Sequence, residues 1–117
     1  MTPQTPKELG YRMPAEWERH DAIWLAWPYD ETTFPGRVPA VEQRMVEIIA
    51  AIHTGERVEL LVLDEAMQSK VRNMLQSAGV DLDKINFHLV LFQDVWTRDY
   101  GPLFLINRDK KALGWVK

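Results

Sequence analysis

The chain has 117 residues, of which 46% are apolar and 26% are charged, and its formal net charge is −3. This length allows one domain at most, because single domains typically run to about 50–200 residues. The negative charge argues against a nucleic-acid partner and against an anionic membrane surface. The chain contains no cysteine, which excludes disulfides, a cysteine-based zinc site and a thiol nucleophile within these residues.

The N-terminal segment, MTPQTPKELGYRMPAEW, has no apolar run that could serve as the core of a signal peptide. No stretch approaches the roughly 20 apolar residues of a membrane-spanning helix. We therefore expect a cytoplasmic protein without a membrane partner. Prolines at positions 3, 6 and 14 predict that residues 1–16 form an N-terminal arm or lead-in loop.

The first predicted strand is the apolar run 22–27, which ends at Pro28. A proline- and glycine-containing loop follows over residues 29–39. Apolar residues then recur at the helical period of 3.6 and predict an amphipathic helix; they are Val41, Met45, Ile48, Ile49 and Ile52. Pro39 suits its first turn, and Gly55 suits a left-handed residue just past its end.

The remaining elements follow in the same alternating order. Residues 58–63 predict a buried strand, and a second amphipathic helix follows, with Asp64 as its N-cap and Gly79 past its end. Its apolar stripe comprises Met67, Val71, Met74, Leu75 and Ala78. Residues 85–92 predict a third strand, and residues 103–106 and 112–116 predict a hairpin around residues 107–110. The order β-α-β-α-β-β-β predicts an α/β fold with two amphipathic helices and one mixed sheet.

The densest polar cluster is QDVWTRDYGP, residues 93–102, directly after the third predicted strand. Strand ends are where α/β sheets place ligands. A carboxylate there can bind a planar guanidinium through two parallel hydrogen bonds, and Trp96 can lie against the same cation. In the alternative interpretation, Arg98 pairs with Asp94 or Asp99 and only stabilises the turn.

A second cluster, MPAEWERH at residues 13–20, leads into the strand WLAWP at residues 24–28. Its tryptophans either complete the core or line a pocket for a flat cation. The three histidines, at positions 20, 53 and 88, lack the spacing of metal ligands, so we expect no metal site. No glycine-rich phosphate loop and no serine nucleophile elbow is present.

The strings MPAEWERHDAIWLAWP and, about seventy residues later, DVWTRDYGPLF resemble the N-terminal region of the agmatine deiminase and Porphyromonas-type peptidylarginine deiminase family. The resemblance covers residues 12–117, and the W-x-R-D-x-G-P string is highly specific. One departure is Arg19, where family members often carry proline. The resemblance implies a pentein fold, a five-bladed α/β propeller, of which residues 17–117 would be about one and a half modules.

The resemblance also implies an activity, the hydrolysis of a guanidine to a ureido group and ammonia without a metal or cofactor. In this family a cysteine attacks the guanidinium carbon, a histidine moves protons and two acidic residues bind the guanidinium nitrogens. Asp99 matches the first acidic residue, and Trp96 matches a tryptophan of the same pocket. Arg98, Gly101 and Pro102 match positions of the motif that are expected to shape the turn. Asp94 lies in the same motif as a supporting residue, and we expect it to make no direct contact with the substrate.

We therefore expect the N-terminal part of a guanidine-hydrolysing enzyme, inactive by itself because the thiol is missing. The resemblance implies that the substrate would be a small guanidine, agmatine, or alternatively the side chain of a peptidyl-arginine. The final residues, GWVK, stand inside an apolar run, which is typical of a truncated chain. The alternative is a non-catalytic module for guanidine binding or subunit interaction. Uncovered sheet edges and apolar faces predict a homo-oligomer.

Overall fold

The structure is a computed structural model that describes residues 2–116. In chain order its strands are β1 (Ala22–Ala26), β2 (Arg57–Val62), β3 (Ile85–Leu89), β4 (Leu103–Asn107) and β5 (Ala112–Val116). Its helices are α1 (Val38–Ile52), α2 (Glu65–Ser77) and the four-residue α3 (Thr97–Tyr100), and a 3-10 turn covers Leu82–Lys84. The chain divides into two compact units, one of residues 20–97 and one built from residues 2–19 and 98–116.

The described strands form two sheets, so the prediction of one mixed sheet is wrong. The strands β1, β2 and β3 make a parallel sheet in that order, and β4 and β5 make a separate antiparallel pair. Both kinds of pairing follow from the connections, because helical crossovers give parallel neighbours and a short turn gives an antiparallel pair. The connections do not specify whether a hairpin extends an existing sheet or forms a separate one, which is why the prediction of a single sheet was wrong.

The parallel sheet carries the core of unit 20–97. Val58 of β2 pairs with Ile23 on one side and with Ile85 on the other. Alternate β2 residues on one face are inaccessible to solvent, namely Val58, Leu60 and Val62. They belong to one apolar cluster with Val46 and Ile49 of α1 and Val71 and Leu75 of α2. Each such side chain contributes about 1.5–3 kcal/mol by leaving water.

Helix α1 forms as predicted, with Pro39 in its first turn, but the face that it buries differs from the predicted stripe. The buried residues are Glu42, Val46 and Ile49, whereas Ile48 is 46% exposed. The predicted stripe is confirmed at Ile49, and Met45 and Ile52 are partly buried against the core. It is wrong at Ile48, and the polar residue Glu42 takes a core position that apolar periodicity did not predict. Its carboxylate accepts hydrogen bonds from the buried Trp27 indole (3.2 Å) and from the Lys70 ammonium (2.6 Å).

The end of α1 corrects a second prediction. Gly55 does not have the left-handed conformation, since the glycines with positive φ among the described residues are Gly10, Gly36 and Gly79. The helix ends instead at His53, whose Nδ1 donates to the carbonyl oxygens of Ala50 (2.8 Å) and Ile49 (3.2 Å). Because the side chain satisfies these terminal carbonyls, no left-handed residue is required there.

Helix α2 confirms the predicted end signals. Asp64 is its N-cap and accepts from the Met67 amide at 2.8 Å, and Gly79, with a φ of 76°, follows its last turn. Val71 and Leu75 are buried on the predicted face. Sequence signals at helix ends are local, so they predicted this element well.

Strand β3 is shorter than predicted and stops at Leu89. Its partner β2 ends at Val62, and the last ladder contact is the Val90 amide donating to the Val62 carbonyl (3.0 Å). Beyond that point β2 offers no partner, so the predicted strand residues 90–92 continue as a loop.

The second unit is built on the hairpin of β4 and β5, where Leu103 pairs with Val116 and Asn107 with Ala112. This confirms the predicted hairpin. The segment predicted as an arm contributes to the unit, because Arg12 forms an antiparallel bridge with Ile106 of β4. The buried Asn107 side chain donates to the Leu9 carbonyl (2.9 Å) and accepts from the Lys110 amide (3.0 Å).

Tryptophans of the second sequence cluster have opposite environments. Trp27 is inaccessible to solvent, whereas Trp17 is 90% exposed. Of the two alternatives for these tryptophans, completion of the core therefore applies to Trp27 and does not apply to Trp17.

Candidate functional site

The segment with the W-x-R-D string begins at the carboxyl end of the parallel sheet. Strands β1 and β3 both run parallel to β2, so the residues that follow them emerge at the same edge. After β1 come Tyr29 and Thr33, and after β3 come Phe92 and Asp94. Segments that are about sixty residues apart in sequence therefore meet at one end of the sheet.

Two side chains of the loop after β1 contact the loop after β3. The Tyr29 hydroxyl donates to the Phe92 carbonyl oxygen, and the two rings meet edge to face with centroids 5.4 Å apart. The Thr33 hydroxyl donates to Asp94 Oδ2 at 2.7 Å. Asp94 Oδ1 accepts from the Val95 amide at 2.7 Å. Both carboxylate oxygens of Asp94 thus accept hydrogen bonds from protein groups.

The acidity of Tyr29 reflects this environment. Burial raises the pKa of the Tyr29 hydroxyl above its ordinary value, and the nearby carboxylates of Asp30 and Asp94 raise it further. All three effects disfavour the phenolate. Tyr29 therefore remains a hydrogen-bond donor at neutral pH.

Trp96 presents its side chain to solvent, with 57% of the residue exposed. The next residue, Thr97, is held by its hydroxyl, which donates to the Trp24 carbonyl of β1 (3.3 Å), and its amide donates to the Val95 carbonyl (2.9 Å). An exposed indole ring on an anchored segment is available for stacking or for a cation–π contact.

The other predicted site residues lie in the unit of residues 2–19 and 98–116. Asp99 is exposed and belongs to the first turn of α3. The Arg98 guanidinium pairs with Glu16 Oε1 at 2.5 Å, and both side chains are largely exposed, so this ion pair contributes little stability. Gly101 and Pro102 connect α3 to β4.

A cavity of about 370 Å³ lies near the same edge of the parallel sheet. It is lined by Tyr29, Val38, Glu42, Ala66, Met67 and Lys70. Its charged groups already pair with each other, since Lys70 Nζ lies 2.6 and 2.8 Å from the two Glu42 oxygens. We regard this pair as a structural contact that supports the Trp27 indole.

A polar cluster occupies the sheet face that does not carry the core. Glu59 accepts from His88 Nε2 (2.6 Å) and from the Asn86 amide group (3.0 Å), and the His88 and Trp24 ring centroids are 4.9 Å apart. Burial favours protonation of Glu59, but the hydrogen bonds from His88 and Asn86 outweigh it, so its pKa lies below the ordinary value. The carboxylate is therefore ionised at neutral pH.

Sequence reasoning did not identify Tyr29, Thr33 or Glu59. Their partners lie 63, 61 and 29 residues away along the chain. No local pattern in the sequence signals contacts between residues so far apart.

Residues 2–116 contain no group of three or more histidine, cysteine, aspartate or glutamate side chains placed to hold a metal ion. Over the same residues, no helix has the length and apolar character needed to cross a membrane.

Comparison with known proteins adds a family relationship. The family model for Porphyromonas-type peptidyl-arginine deiminase matches residues 12–116. A protein of Yersinia pseudotuberculosis named "Putative agmatine deiminase" is 32% identical over 115 residues, which is 97% of this chain and 30% of that protein. A protein of the same name from Mycoplasma mycoides is 32% identical over 96% of this chain and 29% of its own length.

Solved structures show the same relationship. An X-ray structure with the same name superposes with a TM-score of 0.82 at 33% identity, over 98% of this chain and 31% of the other. The agmatine deiminase of C. jejuni has a TM-score of 0.72 at 15% identity, over 90% and 30% of the two chains, which supports the fold alone. The chain thus spans about 30% of the length of the relatives that it matches.

Proposed function

The chain belongs to the Porphyromonas-type peptidyl-arginine deiminase family, and from this premise we propose that it supplies part of the guanidinium-binding site of an agmatine deiminase. The reaction would convert agmatine to N-carbamoylputrescine and ammonia. Agmatine is favoured over the peptidyl-arginine alternative because the relatives at 32–33% identity carry that name. The observation that carries the proposal is the exposure of the Asp99 carboxylate and the Trp96 ring within one motif.

Each residue has a chemical role in this proposal. A carboxylate at position 99 offers two oxygens to two parallel N–H groups, a geometry that guanidinium provides and a simple ammonium does not. The face of Trp96 attracts the same delocalised cation. Asp94, Arg98, Gly101 and Pro102 support the segment and do not bind the substrate.

The covalent chemistry requires a cysteine from sequence outside these 117 residues. Its thiolate would attack the guanidinium carbon that Asp99 and a second acidic residue hold in position, and the tetrahedral intermediate would release ammonia. Water would then attack the remaining thiouronium carbon, which releases the ureido product and restores the thiol. In the whole protein we propose the five-bladed propeller, cytoplasmic location and homo-oligomeric assembly that the resemblance and the exposed apolar faces imply.

A second candidate is a binding or subunit-interaction module without turnover. It is favoured by the absence of cysteine from the chain and by the exposed apolar face of the hairpin, where Leu113 and Trp115 are each 67% exposed. Both candidates agree that the 117-residue chain alone forms no ureido product. They differ in whether a reading frame for the whole protein contains a cysteine that completes the reaction.

The binding role can be tested on the chain itself. We expect agmatine to shift the NMR signal of the Trp96 indole N–H, assigned by its loss in Trp96→Phe, while the signals of the other four tryptophans change little. Putrescine, which has an ammonium in place of the guanidinium, serves as the control ligand and is expected to cause no such shift. If agmatine shifts no Trp96 signal, or if putrescine is equally effective, the proposed guanidinium site is wrong.

A further inference from the structure

The loop after β1 has no assigned role in the proposed reaction, yet it makes two specific contacts with the segment that leads to Trp96. The Tyr29 hydroxyl donates to the Phe92 carbonyl, and the Thr33 hydroxyl donates to Asp94. Neither contact belongs to the sheet. Both lie between the end of β3 at Leu89 and the exposed ring of Trp96.

The two contacts restrict different parts of the segment. Tyr29 holds backbone at Phe92 and also packs edge to face against its ring. Thr33 orients the Asp94 carboxylate, whose other oxygen accepts from the Val95 amide. Asp94 therefore transmits the contact from Thr33 directly to the backbone preceding Trp96.

From this geometry we propose that Tyr29 and Thr33 are positioning residues for the guanidinium site, acting through Phe92 and Asp94 on the placement of Trp96. The proposal rests on the proposed function and adds residues that never contact the substrate. A ligand that needs the ring face at one position binds more weakly if the ring must first be ordered. The same contacts give Asp94 a structural role in the motif, because its two oxygens accept hydrogen bonds from Thr33 and Val95.

The charge state of these groups suits a permanent contact. The raised pKa of Tyr29 keeps its hydroxyl protonated at neutral pH, so it can donate to the Phe92 carbonyl. The Thr33 hydroxyl donates to the Asp94 carboxylate, and a hydrogen bond to a carboxylate is one of the stronger kinds. The loop after β1 is itself held, since Asp30 Oδ1 accepts from the Thr32 amide (2.7 Å) and the Phe34 amide donates to the Asp30 carbonyl (3.0 Å). The loop that carries Tyr29 and Thr33 is thus an ordered turn.

The test uses variants that remove one hydroxyl without changing side-chain size. Thr33→Val and Tyr29→Phe each delete one contact, Thr33→Ser keeps the hydroxyl, and Thr32→Val changes an exposed neighbour in the same turn. The first measurement is ligand-free: ¹⁵N relaxation order parameters of the Trp96 amide and indole N–H, with the Leu60 amide of β2 as an internal reference. The second is the agmatine Kd from the Trp96 indole shift.

We expect Thr33→Val and Tyr29→Phe to lower the Trp96 order parameters, leave Leu60 unchanged and weaken agmatine binding by about 3- to 10-fold, the effect of one hydrogen bond. Thr33→Ser and Thr32→Val should match the unsubstituted chain. Unchanged Trp96 order in Thr33→Val and Tyr29→Phe would overturn the proposal, and so would an equal loss of order at Leu60. If the unsubstituted chain does not bind agmatine, the proposed function fails, while the ligand-free relaxation still decides the positioning role.

Discussion

Asp94 and Asp99 lie five residues apart in the same motif but have different surroundings. Both oxygens of Asp94 accept hydrogen bonds from Thr33 and Val95, so this carboxylate serves the structure of the segment. Asp99 is exposed in the first turn of α3. A carboxylate with accessible oxygens is the one suited to a planar cation.

At the residue scale we therefore predict that Asp99→Asn abolishes most agmatine binding. The amide offers one acceptor in place of two and no negative charge, so we expect a loss of about 10- to 100-fold, the range for hydrogen bonds to charged groups. The agmatine titration of the Trp96 indole signal measures this. Asp109→Asn, an exposed aspartate in the hairpin turn, is the matched control, and equal effects of the two substitutions would contradict the assignment.

A second residue-scale prediction concerns Glu18. Hydrogen bonds from the Arg12 guanidinium (2.7 and 2.9 Å) and from the Ala15 amide (2.6 Å) lower its pKa to about 2. A lowered folded-state pKa means that the contact stabilises the fold above the unfolded pKa of about 4.5 and is lost as the pH falls towards 2. Stability should therefore decline across this acidic window.

The measurement for Glu18 is a carboxyl ¹³C NMR titration. We expect its midpoint near pH 2 in the unsubstituted chain and a clear upward shift in Arg12→Gln, which removes the charged donor. Arg44→Gln removes an arginine that instead pairs with Glu47 on α1 and should leave Glu18 unchanged. A midpoint at the ordinary glutamate value in the unsubstituted chain would disprove the Arg12 contact.

At the scale of single elements, α1 shows how one polar residue changes the buried face of a helix. Glu42 occupies a core position because Trp27 and Lys70 satisfy its carboxylate. The buried positions are then 42, 46 and 49, and Ile48 turns towards solvent. Apolar periodicity alone could not distinguish Ile48 from Ile49, since the two residues are adjacent.

The two isoleucines give an element-scale prediction. Ile49→Ala should lower the free energy of unfolding by about 2–5 kcal/mol because it leaves a cavity in the core. Ile48→Ala should cost under about 1 kcal/mol, since this side chain is 46% exposed. Urea denaturation followed by circular dichroism measures both. Similar losses for the two variants would show that α1 packs on a different face.

At the scale of the whole molecule, each described unit presents surface that its own residues leave uncovered. On the hairpin, Phe104 and Trp115 are directly opposed in register, as are Ile106 and Leu113. Since directly opposed residues share a face, these four make one apolar and aromatic face, and all but Ile106 are exposed. Contiguous exposed apolar patches of this kind mark interaction sites.

We therefore predict that the 117-residue chain self-associates. Charges placed on this face oppose its burial, so Leu113→Lys and Trp115→Lys should shift the chain towards monomer in sedimentation velocity. Asp109→Asn, which raises the net charge by one as each lysine substitution does but lies in the exposed hairpin turn away from these strands, controls for the change in net charge. A monodisperse monomer from the unsubstituted chain at high concentration would contradict the prediction.

The candidate site was predictable to the extent that its signals are local. The motif at residues 93–102 identified the segment, and the position after a strand placed it at a sheet edge. The supporting contacts from Tyr29 and Thr33 were not predictable, because side-chain contacts across about sixty residues leave no pattern in one sequence. The roles of Trp96 and Asp99 remain predictions, for which exposure is the supporting observation.

The amino-acid sequence by itself determined the order of the five strands and the two long helices, the caps of α2, the hairpin and the family, since propensity, capping and motif strings all act over a few residues. It did not predict the short helix α3 or the 3-10 turn. Only the tertiary structure decided that the strands divide into two sheets, that Glu42 is buried while Ile48 is exposed, and that Tyr29 and Thr33 hold the segment before Trp96. These outcomes depend on which distant groups satisfy a buried polar atom or a strand edge. They are decided by contacts between residues that are far apart in the sequence, and local conformational preference does not determine them.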